Sequence, residues 1–116
     1  MAQEFDLTID KGSDVTVQFD LVETDGSAKD LTNHTFSSKI KKSYNTSDSD
    51  ATPFTTTIPS PATDGKVLLT LTNLQTDALK AGRHVYDVEM AFTDSDSNTV
   101  IERIVEGKIF VTPSVT

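Results

Sequence analysis

The sequence predicts an all-β fold, an antiparallel sandwich of two sheets with about seven strands and one short helix between strands E and F. Three observations predict it. Apolar and polar residues alternate with a period of two through most of the chain, as in strands with one buried face. Turn signals built on glycine, proline, aspartate and asparagine recur about every 8–12 residues. A single segment carries a helix-capping pattern, and it is too short to fold alone. The 116 residues suit one domain spanning 1–116 and are too few for two.

Each element follows from its own residues. In the first strand Phe5, Leu7 and Ile9 share a face opposite Glu4, Asp6, Thr8 and Asp10. A turn at Lys11-Gly12-Ser13-Asp14 leads to a second strand in which Val15, Val17, Phe19 and Leu21 alternate with polar residues. Asp25-Gly26 marks the next turn, and Leu31 is expected to plug the entry to strand C. Strand C should run from about Thr35 to Ser43, with Phe36, Ser38, Ile40 and Lys42 on one face and Ser37, Lys39 and Lys41 on the other. Residues 43–53 are small, polar and acidic, which predicts a mobile loop. Strand D covers about Phe54 to Ile58 and stops at Pro59-Ser60-Pro61; strand E follows Asp64-Gly65 with Val67, Leu69 and Leu71.

Thr72-Asn73-Leu74-Gln75 reads as a capping box, with Leu74, Ala78 and Leu79 as the buried helix face and Gly82 as its left-handed C-terminal residue. In strand F, Tyr86, Val88, Met90 and Phe92 alternate with Val85, Asp87, Glu89 and Ala91. The loop Asp94–Asn98 precedes a last segment, Thr99–Thr112, that is apolar on both faces. Ile101, Val105, Ile109 and Val111 form one side, and Val100, Ile104 and Phe110 the other. Gly107 in its middle is expected to mark a bulge or kink. A tyrosine entering an inner strand just after the helix resembles the tyrosine corner of immunoglobulin-like sandwiches, which gives Tyr86 an architectural role and makes the fold immunoglobulin-like.

Composition narrows the function. With no cysteine, disulfides and thiolate metal sites are excluded, which fits synthesis in a reducing cytoplasm. No segment approaches the roughly 20 apolar residues of a membrane span, and the N-terminus Met1-Ala2-Gln3-Glu4 lacks the basic and apolar regions of a signal peptide. The formal charge of −8 disfavours nucleic acid and anionic membranes as partners.

No constellation of reactive residues emerges, so the expectation is a protein that is not an enzyme and needs no cofactor or metal. His34 and His84 each lack a sequence partner for nucleophile–base or metal chemistry. Asp94-Ser95-Asp96-Ser97-Asn98 begins like a calcium loop, but Thr99 stands where the glycine belongs and Val105 where the bidentate glutamate belongs. A solvated hairpin turn is the better reading. Ser47-Asp48-Ser49-Asp50 is an acidic loop tip, and Lys39, Lys41 and Lys42 read as the solvent face of strand C, where lysine discourages edge pairing.

Three stretches carry a family resemblance. Gly12-Ser13-Asp14 with Asp30-Leu31-Thr32-Asn33-His34-Thr35 resembles the "G-x-D … D-L-T-G-x-T" pattern of small immunoglobulin-like virion domains of tailed phages. Gly65-Lys66-Val67-Leu68-Leu69-Thr70-Leu71-Thr72, Gln75-Thr76, Leu79-Lys80-Ala81-Gly82 and Tyr86-Asp87-Val88 look like their central core pattern. Val105-Glu106-Gly107-Lys108-Ile109-Phe110-Val111-Thr112-Pro113 is similar to their closing pattern. The likeness covers roughly residues 5–113. It departs at Asn33, which replaces a glycine, and at His84, which takes the first aromatic position of a Y-x-Y pair.

The resemblance implies a virion structural protein of the tail or baseplate, made in the host cytoplasm, with other virion proteins or further copies of itself as partners. The doubly apolar last strand (Val100, Ile104, Phe110) is the expected contact. A decoration protein on the capsid exterior is the alternative. A carbohydrate- or host-surface-binding module is the third, with Tyr44 as its only aromatic candidate.

Overall fold

The computed structural model describes residues 3–113; Met1, Ala2 and residues 114–116 lie outside it. Its strands are β1 (Gln3–Glu4), β2 (Leu7–Asp10), β3 (Val15–Asp20), β4 (Thr35–Lys41), β5 (Thr52–Pro53), β6 (Thr55–Thr57), β7 (Lys66–Leu71), β8 (Gly82–Thr93) and β9 (Thr99–Thr112), with helix α1 at Asn73–Asp77. They form two sheets. One has the order β1-β9-β8-β4-β5, with β2 also on β9, and the other has the order β3-β7-β6. All pairings are antiparallel except those of β1 and β2 with β9. This is an all-β, immunoglobulin-like sandwich of two sheets, the fold class the sequence predicts.

The buried side chains of both sheets form one core cluster. Val67, Leu69 and Leu71 of β7 face Ile40 of β4, Tyr86 and Val88 of β8, and Val105 and Ile109 of β9. Removing each such side chain from water contributes about 1.5–3 kcal/mol, which is why the period of two dictates the sheets. Leu31 is 1% exposed, the plug the sequence called for.

The first strand is split rather than continuous. Glu4 pairs with Glu106 and Leu7 with Ile109, so register is kept, but Phe5 and Asp6 between them leave the ladder. The loop at 43–53 is not featureless: it holds a 3-10 turn at Asp48–Asp50, and its end forms β5 against Lys39 and Ile40. The expected strand D corresponds to β6 alone, and β5 precedes it within the expected loop.

Three expectations are corrected. The capping box exists, since the Thr72 side chain accepts from the Gln75 amide and Gln75 answers to the Thr72 amide. The helix is only five residues, however, and its buried residue is Thr76, with Leu79 buried just after its end, while Leu74 is 79% exposed. One turn is too short for an i, i+4 stripe to form. Gly82 is not the helix cap; the cap is Ala78 in right-handed geometry, and Gly82 (φ 117°) opens β8.

The third correction concerns β9. Its bulge is not at Gly107, which pairs normally with Tyr86. Instead Val88 pairs with Val105 and the next residue, Glu89, with Arg103, which leaves Ile104 as the extra residue. One inserted residue exchanges the faces of everything before it. Val100 therefore lies opposite inward-pointing Phe92 and is half-buried, Ile104 packs against the core, and Ile101 turns out to solvent at 62% exposure. The double apolarity of this strand is largely satisfied within the chain.

The two sheets end differently along one flank. In the smaller sheet β3 pairs with β7 alone. The Leu21 amide donates to Gly65 toward β7, so by alternation the amides and carbonyls of Thr16, Gln18 and Asp20 point away from the sheet. That edge is open.

Candidate functional site

Residues from the motif stretches of the sequence lock the fold together. At the β2–β3 turn, the buried Thr76 hydroxyl accepts from the Gly12 amide at 3.1 Å and donates to the Ser13 carbonyl at 2.8 Å. Asp14 accepts from the Asn73 amide at 2.6 Å, holding α1 onto the same turn. Asp30 closes its own turn by accepting from the amide and hydroxyl of Thr32, and these bonds hold its carboxyl below the usual aspartate range. Asn33, standing in for glycine, has φ 64°, the left-handed geometry asparagine tolerates.

Tyr86 forms the second lock. Its ring is buried on β8, edge-on to Phe54 at 6.2 Å, and its hydroxyl donates to the carbonyl of Phe5. The bond ties β8 to the connection between β1 and β2, on backbone far upstream of the tyrosine. Burial raises the phenol well above the usual tyrosine value, and the nearby Asp6 carboxylate adds to the rise. Asp6 also takes the place of a backbone acceptor: its Oδ1 accepts from the Lys108 amide at 2.9 Å. The Phe5 amide donates to Glu106 at 2.9 Å. This crossing needs Gly107. A Cβ there would overlap the Phe5 carbonyl, lying 2.8 Å from its carbon and 3.0 Å from Asp6 Oδ1.

Both histidines are occupied. His84, 5% exposed, donates from Nε2 to the Lys80 carbonyl at 2.7 Å and ties the α1–β8 connection. The His34 ring stacks on Phe92 at 4.9 Å, with Nδ1 2.9 Å from the Thr32 carbonyl oxygen. The two belong to separate regions, on β8 and before β4. The Asp94–Asn98 loop is the β8–β9 hairpin turn, in which Asp94 Oδ1 accepts from the amides of Asp96 (3.0 Å) and Asn98 (2.9 Å). Among the described residues no three His, Asp or Glu side chains group in a way that could hold a metal ion.

A shallow groove of about 420 Å³ lies on the outer face of the larger sheet. Lys39 on β4 lies opposite Asp87 on β8, which lies opposite Glu106 on β9. Arg103 reaches Asp87 at 3.2 Å and Glu106 at 3.5 Å. Strand-to-strand register brings these charges together, so sequence spacing did not reveal the network. Lys39 and Lys41 therefore sit on the solvent face of the strand, whereas Lys42 follows β4 and donates from Nζ to the Arg83 carbonyl at 3.1 Å. Tyr44, 76% exposed, stands at one end of the groove. With charges of both signs facing each other, the groove selects for neither sign of ligand.

Of the three residues expected at a contact, only Phe110 shows a substantial outward surface, at 43% exposure. Its exposed companion on this strand, Ile101, lies roughly 27 Å away at about 3.4 Å per residue, beyond the charged network. They do not make one patch.

No family model and no curated protein matches the sequence. Among solved structures, the chain is similar to murine CRIg, with 16% identity, 92% of each chain covered and a TM-score of 0.54. At that identity the likeness speaks for the immunoglobulin-like fold alone.

Proposed function

We propose that this chain is a non-enzymatic structural protein of a tailed-phage virion, a tail or baseplate component held by contacts with other virion proteins. One observation carries the reading. The residues that match the phage virion pattern (Gly12 to Asp14, Asp30 to Thr35, Thr72 to Thr76, Tyr86 and Gly107) are those whose bonds and close approaches hold the sandwich together. Their chemistry is used up within the fold, and the histidines and the Asp94 carboxylate are likewise engaged in turns and connections. What is left to the surface is packing and charge.

Mass spectrometry of gradient-purified particles from cells carrying the gene tests the proposal. The protein should co-purify with particles at tens of copies or fewer. Hundreds of copies per particle would move it to the capsid exterior as a decoration protein. Its absence from particles would end the virion reading.

A further inference from the structure

The flank where β1, β2 and β3 meet combines three features. The first is the open edge: the backbone amides and carbonyls of Thr16, Gln18 and Asp20 point outward, and all three residues are exposed. The second is an uncovered apolar seam. Val15, Val17 and Phe19 point into the sandwich yet are only half-buried, whereas their register partners Leu71, Leu69 and Val67 on β7 are 0–2% exposed. Phe5, 45% exposed, meets Phe19 edge-on at 5.5 Å and carries the seam across to the other sheet. The third is charge. Glu4, Asp6, Asp10, Asp14 and Asp20 line this flank and are all exposed, against Lys11 in the turn and Lys66 across from Asp20.

We propose that the open β3 edge is a strand-addition site for an extended segment of a partner protein in which lysine or arginine alternates with apolar residues. Main-chain bonds to Thr16, Gln18 and Asp20 would supply affinity, and the alternate apolar side chains would cover Val17, Phe19 and Phe5. The acidic flank selects a cationic strand. It also works against a second copy of this chain. Antiparallel pairing of two β3 strands about Val17 sets Asp20 opposite Asp14, and like charges directly opposite destabilise a sheet. This inference stands apart from the virion reading, since it concerns what the edge accepts and not where the protein resides.

The test uses two blocked eight-residue peptides, one alternating valine with lysine and one alternating valine with glutamate. Each is N-methylated on alternate residues so that it can pair along one edge only. Amide exchange is followed by NMR on the intact protein. The lysine peptide should slow exchange at Thr16, Gln18 and Asp20 by about tenfold or more, and the glutamate peptide should not. Raising the salt to about 0.5 M should weaken the effect.

Gln18→Pro removes an outward amide without touching a β3–β7 bond and should abolish the protection while the circular dichroism spectrum persists. Should that variant unfold, Asp10→Asn/Asp20→Asn decides the matter: it should weaken the lysine peptide about threefold or more, and unchanged binding overturns the proposal. Three further results overturn it: no slowing with the lysine peptide, equal slowing with both peptides, or a dimer in sedimentation whose edge amides are already protected without peptide.

Discussion

Replacing Gly107 by alanine tests whether the first strand is held by the crossing over β9. The residue is not in left-handed geometry, so alanine carries no backbone penalty there, and the effect is purely one of space. A Cβ 2.8 Å from the Phe5 carbonyl carbon must reach an ordinary separation of roughly 3.6 Å, so the Phe5–Asp6 backbone retreats by about 1 Å. Three hydrogen bonds converge on that backbone: Phe5 amide to Glu106, Tyr86 hydroxyl to Phe5, and Lys108 amide to Asp6. A retreat of about 1 Å takes each beyond hydrogen-bonding distance, at about 1 kcal/mol apiece. Alanine returns roughly 0.4–1 kcal/mol by stiffening the unfolded chain, leaving a net loss of about 2–2.5 kcal/mol.

Unfolding entropy scales with length, and for 116 residues that loss lowers Tm by about 10 °C. Differential scanning calorimetry measures it. Tyr86→Phe alone should cost about 1 kcal/mol, and close to nothing when Gly107 is already alanine, because the carbonyl has then moved away. A Gly107→Ala protein as stable as the parent, or two costs that simply add, would refute the reasoning.

The other predictions concern the same locks. Burial and the Asp6 charge keep the Tyr86 phenol protonated in the fold, whereas the unfolded chain ionises it near pH 10. The folded chain thus binds more protons above that pH, so stability is unaffected below about pH 10 and falls as pH rises beyond it. In a Tyr44→Phe background, phenolate absorbance should appear only with unfolding, and Tyr86→Phe should remove this contribution to the alkaline loss. Thr76→Val keeps the shape of a fully buried side chain but leaves the Gly12 amide and Ser13 carbonyl without their partner, and should cost about 1–2 kcal/mol in chemical denaturation. Leu74→Glu should change stability by less than about 0.5 kcal/mol, whereas Leu79→Ala should cost about 2–4 kcal/mol, which separates the exposed residue of α1 from the buried one just after it.

How legible each feature was depends on how local its cause is. The strands of the core were readable because burying one face imposes a period of two, and Phe36, Ser38 and Ile40 or Tyr86, Val88 and Met90 are indeed the buried sets. The capping box was readable because both its bonds span three residues. Leu74 was misread because an apolar residue in a five-residue helix has no second turn to define a face, and the buried position went to Thr76, whose hydroxyl serves the neighbouring turn. The partner of Tyr86 is 81 residues away and could not be read from spacing. The Arg103–Asp87–Glu106 network depends on the register between two strands, which no single strand encodes.

The bulge at Ile104 explains why, of the three expected contact residues, only Phe110 keeps a substantial outward surface. Counting by twos from Val105 puts Ile101 inside and Val100 and Ile104 outside, and a second apolar face then demands an external partner. One extra residue reverses that assignment and returns Ile104 to the core. The incompletely covered apolar surface lies instead on the flank where β3 has a neighbour on one side only and its inward side chains stay half-buried. That flank owes its openness to the first strand, which joins β9 through the Gly107 crossing and leaves β3 uncovered. The glycine that first pointed to a kink in the last strand therefore makes room for the crossing that holds the first strand against β9.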